Sequence, residues 1–172
     1  MTWIFGYGSL VWRPAFEFAE RQRAELRGWA RRFWQASADH RGVPQRPGRV
    51  VTLVPDAGAV TVGVAYRLEP GPAAAIMGAL DHRERGGYTR EMAPVHLADG
   101  RTVEAVVYRG TQANPNYLGP APMEEIVAQI SGAVGPSGPN PEYVLRLHDA
   151  LAEMGAEDPH VAAIATLLRE SM

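Results

Sequence analysis

An ordering constrains this chain more than any single motif does. The β-branched runs lie before Gly110, and the helical patterns, with one exception, lie after it. Val50-Val51-Thr52-Leu53-Val54 is such a run, Pro55-Asp56-Ala57-Gly58 then turns the chain, and residues 59–68 follow as a second stretch rich in Val and Thr. Together these read as a hairpin. Residues 91–97 and 102–109 read as another strand pair around Ala98-Asp99-Gly100-Arg101. Residues 2–5 suit a short buried strand, and residues 24–37, with Trp29, Phe33 and Trp34 among arginines, are also read as strand. Helices are expected over 72–84, where Pro72 suits a first turn and Gly86-Gly87 a stop, and over 123–133, 140–154 and 159–171. Asn140 followed by Pro141 reads as a cap and first-turn pair. Residues 40–49 and 114–122 are rich in Pro and Gly and read as irregular connections. Strands first and helices last predict an α+β domain, a curved or closed sheet with helices packed on it.

Size and composition narrow the function classes. A length of 172 residues suits one domain with a real core. The net charge of -2 supplies no global field for nucleic acid or an anionic membrane, so neither is expected as a partner. The N-terminal residues lack a basic segment, and Gly6 and Gly8 interrupt the apolar stretch, so neither a signal peptide nor a membrane span is expected. The absence of cysteine excludes disulfides, thiolate metal sites and a cysteine nucleophile, and is compatible with the cytoplasm.

Two segments carry candidate chemistry. In Phe5-Gly6-Tyr7-Gly8-Ser9-Leu10 a strand runs into two glycines that flank a tyrosine. Glycine admits positive φ and close approach of a ligand to the amides, and consecutive N–H groups suit a carboxylate or a developing oxyanion. A tight turn after an edge strand is the alternative on spacing alone. The segment is not a dinucleotide fingerprint, because position 11 is Val11, and it is not a P-loop. In Leu80-Asp81-His82-Arg83-Glu84-Arg85-Gly86-Gly87-Tyr88, Glu84 falls at an expected helix end. Carbonyl dipoles there raise a carboxylate's proton affinity, while Arg83 and Arg85 oppose the effect if they face it. A general base and a solvated charged face with a glycine cap both fit.

Other chemistries find less support. His40, His82, His96, His148 and His160 are scattered, without H-E-x-x-H or a close pair, so no metal site is expected. His82-x-Glu84 matches half of a zinc-deaminase signature whose cysteine half is missing. Ser137, in Gly135-Pro136-Ser137-Gly138, does not form a nucleophile elbow, and adjacent Asp39 and His40 cannot easily face one another as a relay. Arg31, Arg32, Arg41, Arg46 and Arg49 admit three readings: a rim for a small anion, single-stranded nucleic acid stacked on Trp29, Phe33 and Trp34, or surface arginines over buried aromatics.

The segments taken in order resemble one family. Phe5-Gly6-Tyr7-Gly8-Ser9-Leu10-Val11-Trp12, Arg31-Arg32-Phe33-Trp34-Gln35 with Ser37, Asp39-His40-Arg41-Gly42-Val43-Pro44 and Pro47 through Val54 carry the first half of the match. Gly63-Val64-Ala65-Tyr66-Arg67-Leu68, Arg83-Glu84-Arg85-Gly86-Gly87-Tyr88, Asn116 through Pro122 and Gly135-Pro136-Ser137-Gly138 carry the second. These closely resemble the ChaC family of glutathione-specific γ-glutamylcyclotransferases over roughly residues 3–145. The resemblance implies one ChaC-like domain over residues 1–172, with a barrel-like sheet around the active-site cavity. It implies cleavage of glutathione to 5-oxoproline and Cys-Gly, with no cofactor or metal and no obligate protein partner, in the cytoplasm. The catalytic glutamate of the family's Arg-Glu-Lys-Gly-Gly-Tyr-like motif maps onto Glu84. Arg85 stands in the usual lysine place, which keeps the charge. The substrate loop maps onto Phe5, Gly6, Tyr7, Gly8, Ser9 and Leu10. Tyr7, Tyr88 and Tyr143 are candidate hydroxyl donors.

Overall fold

A computed structural model describes residues 1–83 and 88–171 of the chain. Its centre is a closed barrel of five strands: β1 (Thr2–Gly6), β2 (Glu20–Ser37), β3 (Gly48–Leu68), β4 (Thr89–Leu97) and β5 (Thr102–Arg109), in the order β1-β3-β2-β4-β5. Four α-helices are described around it: α1 (Pro70–Arg83), α2 (Met123–Ser131), α3 (Asn140–Glu153) and α4 (Pro159–Glu170). The two-residue strands β6 (Val134–Gly135) and β7 (Gly138–Pro139) form a small hairpin before α3. The expected α+β class and barrel-like sheet are both present.

β1 closes the barrel. It pairs antiparallel with β3, Thr2 opposite Leu68 through Gly6 opposite Val64, and parallel with β5 at Ile4 and Val106. Side chains alternate across a strand, and on β1 both faces are covered. Trp3 and Phe5 join the main core. Ile4 joins a second cluster with Leu68, Val106, Tyr108 and the α1 residues Ala73 and Leu80. A strand buried on both faces needs an unbroken apolar run, and Trp3-Ile4-Phe5 supplies it. On the other side, α2, α3 and α4 bring Ile126, Ile130, Leu147, Leu151, Ile164 and Leu168 into the main core.

Two expectations are corrected. Val50–Val54 and residues 59–68 do not form a hairpin with each other; they are two halves of the single strand β3. Both halves pair with β2, from Ser37 opposite Gly48 to Glu20 opposite Arg67. The register slips where Arg27 faces Val60 but Trp29 faces Pro55, so the turn-forming residues between make a bulge. Gly28, with φ of 86°, takes the left-handed conformation opposite it. A partner strand 18 residues long gives both halves their ladder, so the Pro-Asp-Ala-Gly signal bends the strand without reversing it. Asn140 is not a helix cap either. It is the first residue of α3, and its amide accepts from Arg49 N–H at 2.7 Å and donates to the Arg49 carbonyl at 2.8 Å, tying α3 to β3.

Candidate active site

The substrate-loop candidate leaves the end of β1 and winds into a short 3-10 turn, Ser9–Val11. Val11 N–H donates to the Gly8 carbonyl at 2.9 Å and Arg13 N–H to the Ser9 carbonyl at 2.8 Å. Among the described residues the N–H groups of Gly8 and Leu10 have no protein acceptor. Two amides on one tight turn can therefore receive a carboxylate or an oxyanion. Tyr66 Oη donates to the Leu10 carbonyl at 2.5 Å and fixes the far end of the loop.

The glycines of this loop serve space and not unusual backbone angles. Neither Gly6 nor Gly8 has a positive φ; that of Gly8 is −120°. A Cβ on Gly6 would stand 2.6 Å from Leu10 Cβ, and one on Gly8 would stand 2.6 Å from Tyr143 Oη and 3.2 Å from Val51 Cγ2. The positive φ expected at these positions is absent, and the room left by the missing Cβ atoms is taken by Leu10, Tyr143 and Val51.

All six loop residues, Phe5, Gly6, Tyr7, Gly8, Ser9 and Leu10, line one cavity of about 380 Å³. Val50 and Val51 of β3, Tyr108 of β5, Tyr143 of α3 and Tyr88 form other walls, with Arg13, His40, Arg41 and Ser137 completing much of the rest. The volume falls within the range of small-molecule sites. Tyr7, Tyr88 and Tyr143, expected as hydroxyl donors, are thus brought to one place. Tyr7 Oη donates to the Tyr108 carbonyl at 2.5 Å, and Tyr143 Oη accepts from Val51 N–H at 3.4 Å. The Tyr143 ring packs edge-on against Trp12 and Phe33, with centroids 5.2 Å and 5.9 Å away. Glu84, the expected general base, lies outside the described residues, as do Arg85, Gly86 and Gly87.

Tyr108 links two sides of this cavity and no sequence signal singled it out. Its carbonyl holds Tyr7, and its hydroxyl donates to Asp81 Oδ1 at 2.7 Å, in the last turn of α1. Arg90 of β4 holds the other Asp81 oxygen at 2.9 Å. Burial, and then the bond to the Asp81 carboxylate, push the Tyr108 hydroxyl well above the ordinary phenol range, so it stays a donor.

The arginines divide instead of forming a rim. Of the five weighed together, only Arg41 lines the cavity. It is buried, donates to the Pro139 carbonyl at 3.0 Å and Glu142 Oε1 at 3.4 Å, and lies 5.7 Å from the Tyr143 ring centroid. Arg31 is 1% exposed and pairs with Asp158 Oδ2 at 3.2 Å. Burial lowers its pKa and the Asp158 charge opposes that. Arg49 is buried and donates to the Phe33 carbonyl at 2.9 Å; Arg32 lies over Trp34. Stacked nucleic acid is not supported, since Phe33 is fully buried and Arg109 covers Trp29 at 4.6 Å. The reading of all five as surface arginines fails as well, because burying Arg31, Arg41 and Arg49 required the partners just named. No helix is long and apolar enough to cross a membrane among the described residues.

The model of the ChaC-like protein family matches residues 2–171. This chain belongs to the ChaC family. Among its relatives, the human glutathione-specific γ-glutamylcyclotransferase 1 is 45% identical over 168 residues, covering 94% of this chain and 76% of the relative. The Escherichia coli glutathione-specific γ-glutamylcyclotransferase is 38% identical over 159 residues, covering 91% and 68%. A crystal structure of the γ-glutamyl cyclotransferase specific to glutathione from yeast superposes with a TM-score of 0.93 at 32% identity, over 98% of this chain and 96% of that one. The ChaC barrel thus carries the loop and the tyrosines described above on a backbone shared with a glutathione-directed enzyme.

Proposed function

We propose that this ChaC domain, residues 1–172, is a γ-glutamylcyclotransferase that cleaves glutathione to 5-oxoproline and Cys-Gly. The observation that carries the reading is the convergence of the whole segment Phe5-Gly6-Tyr7-Gly8-Ser9-Leu10 with Tyr88 on one cavity, in a chain whose relatives bear that activity in their names. Tyr88 stands four positions after Glu84, a span of at most about 14 Å of extended chain, which supports Glu84 as a neighbour of the same cavity.

The reaction needs no protein nucleophile. The α-amine of the γ-glutamyl unit attacks its own γ-carbonyl, a five-membered ring forms, and the bond from that carbonyl to the cysteinyl nitrogen breaks. The reference pKa of an α-amine is about 7.7–8.0, so near pH 7 most of it is protonated and unreactive. Glu84 takes the proton from the attacking nitrogen and returns it to the departing cysteinyl amine, a contribution of about 10²–10⁴-fold. The Gly8 and Leu10 amides receive the α-carboxylate or the developing oxyanion. The loop and tyrosines fold the flexible γ-glutamyl chain until amine and carbonyl meet, an orientation effect. The reading includes action in the cytoplasm without a cofactor or an obligate protein partner.

The deciding measurement is 5-oxoproline release from glutathione by the wild-type protein and by Glu84→Gln. Turnover by the wild type and none by a folded Glu84→Gln is the expected result. Substantial residual turnover in the variant removes Glu84 from its role. Release from γ-Glu-Ala with glutathione inert replaces the substrate and keeps the reaction class.

A further inference from the structure

The three side chains lining the cavity that can carry a positive charge, Arg13, His40 and Arg41, differ in how far the protein has already used them. Arg41 is committed to Glu142, the Pro139 carbonyl and the Tyr143 ring. His40 stands 3.8 Å from Asp39. Arg13 is exposed, lines the cavity, and has no side-chain hydrogen bond or ion pair among the described residues. Its backbone is nevertheless held, because its N–H donates to the Ser9 carbonyl. The guanidinium is thus an uncommitted cation on an anchored backbone, one tight turn beyond the loop amides.

The substrate poses a matching problem. Glutathione carries a carboxylate at each end, and whether the loop amides hold the one beside the reacting amine or the developing oxyanion, the far one needs a partner of its own. The Cys-Gly portion adds at most about 7 Å beyond the reacting carbonyl when extended, and with the γ-glutamyl unit the two carboxylates stand about three residue lengths, ~11 Å, apart. Arg13 lines the same cavity as the loop, so a substrate seated on the loop has this long side chain within the same cavity for its far end. A guanidinium presents a planar fork that fits a carboxylate with two parallel hydrogen bonds, and such pairs are both stronger and more selective than neutral ones.

We propose that Arg13 is the specificity-determining residue for the far carboxylate of the substrate, the glycyl carboxylate when the substrate is glutathione. This rests on the cyclotransferase reading above and adds the chemical feature that the outer end of the site recognises. Arg13 binds that carboxylate in ground state and transition state alike, since it lies away from the bonds that change, so its effect falls on KM and not on kcat.

The test compares glutathione with its glycyl monoethyl ester, on wild type, Arg13→Gln and Arg13→Lys, with 5-oxoproline as the readout and circular dichroism as the check on folding. In the wild type the ester is expected to lower kcat/KM about tenfold, through KM. Arg13→Gln is expected to show the same tenfold loss on glutathione, with kcat held, and to treat acid and ester alike. Arg13→Lys is expected to recover part of the discrimination. If Arg13→Gln still prefers the acid by the wild-type ratio, Arg13 is not the reader, although the cyclotransferase reading stands. If the wild type releases no 5-oxoproline from either compound, the cyclotransferase reading fails and this inference falls with it.

Discussion

Gly8 shows how a single atom can couple the loop to the wall opposite. The 2.6 Å between a hypothetical Cβ and Tyr143 Oη leaves no room for alanine unless the tyrosine moves. Gly8→Ala is therefore expected to cost about 1–3 kcal/mol of stability, the usual range for forcing an extra carbon into a packed site. The Tyr143 ring carbon that bears the hydroxyl stands 3.8 Å from the same point, an ordinary contact. Adding Tyr143→Phe should therefore recover much of the loss, a non-additive pair that denaturant titration of both singles and the double would detect. A Gly8→Ala protein as stable as wild type would end the argument. The sequence singled out the loop that lines the cavity, but the positive φ expected of its glycines is absent. Glycine's conformational freedom is a local property that sequence can suggest, whereas the Tyr143 hydroxyl arrives from 135 positions further along the chain and is visible only once α3 has docked.

At the scale of elements, Tyr108 of β5 is the member that holds both β1's loop and the end of α1. Removing its hydroxyl leaves the ring in the second cluster and the carbonyl on Tyr7, and cuts only the link to Asp81. Tyr108→Phe is expected to lower kcat about tenfold with a small change in KM if Glu84, which follows α1 in the sequence, is the general base proposed above. Stability should fall by about 1 kcal/mol, since Asp81 is exposed and water replaces part of the bond. Steady-state kinetics with thermal melts would check both, and an unchanged kcat would separate this bond from catalysis. Element types were mostly legible: β1, β4, β5, α2, α3 and α4 fall within a few residues of expectation. The failures at β3 and Asn140 share a cause. Pro-Asp-Ala-Gly and Asn-Pro are local signals, and the winning interactions, the long β2 ladder and the Arg49 backbone, come from residues distant in the sequence.

Across the whole molecule, α4 is joined to the barrel through a group that responds to acid. His160 Nε2 accepts from Phe33 N–H at 3.0 Å, and the two rings lie stacked with centroids 5.9 Å apart. Burial, and then the Arg32 charge, push its pKa down to about 4, against an opposing pull from Asp158. The unfolded chain binds this proton near pH 6.5 and the folded chain only near 4. The stability linked to His160 is therefore complete above about pH 6.5 and is lost as pH falls toward 4, by about 2–3 kcal/mol. Urea midpoints measured between pH 7.5 and 4.5 should fall, and His160→Gln, which keeps an acceptor for Phe33, should fall less steeply. Parallel slopes for the two proteins would refute the assignment.

The contact of β1 with β5 has a consequence for the order of events on the ribosome. The first strand made must wait for the fifth before the barrel can shut, and the cavity also needs Tyr143, well after both. Pairings that span so much of the chain are slow to form and reward little until the end. A nascent ChaC chain therefore carries its loop early but gains a working pocket late, so synthesis itself withholds the activity until the domain is nearly finished.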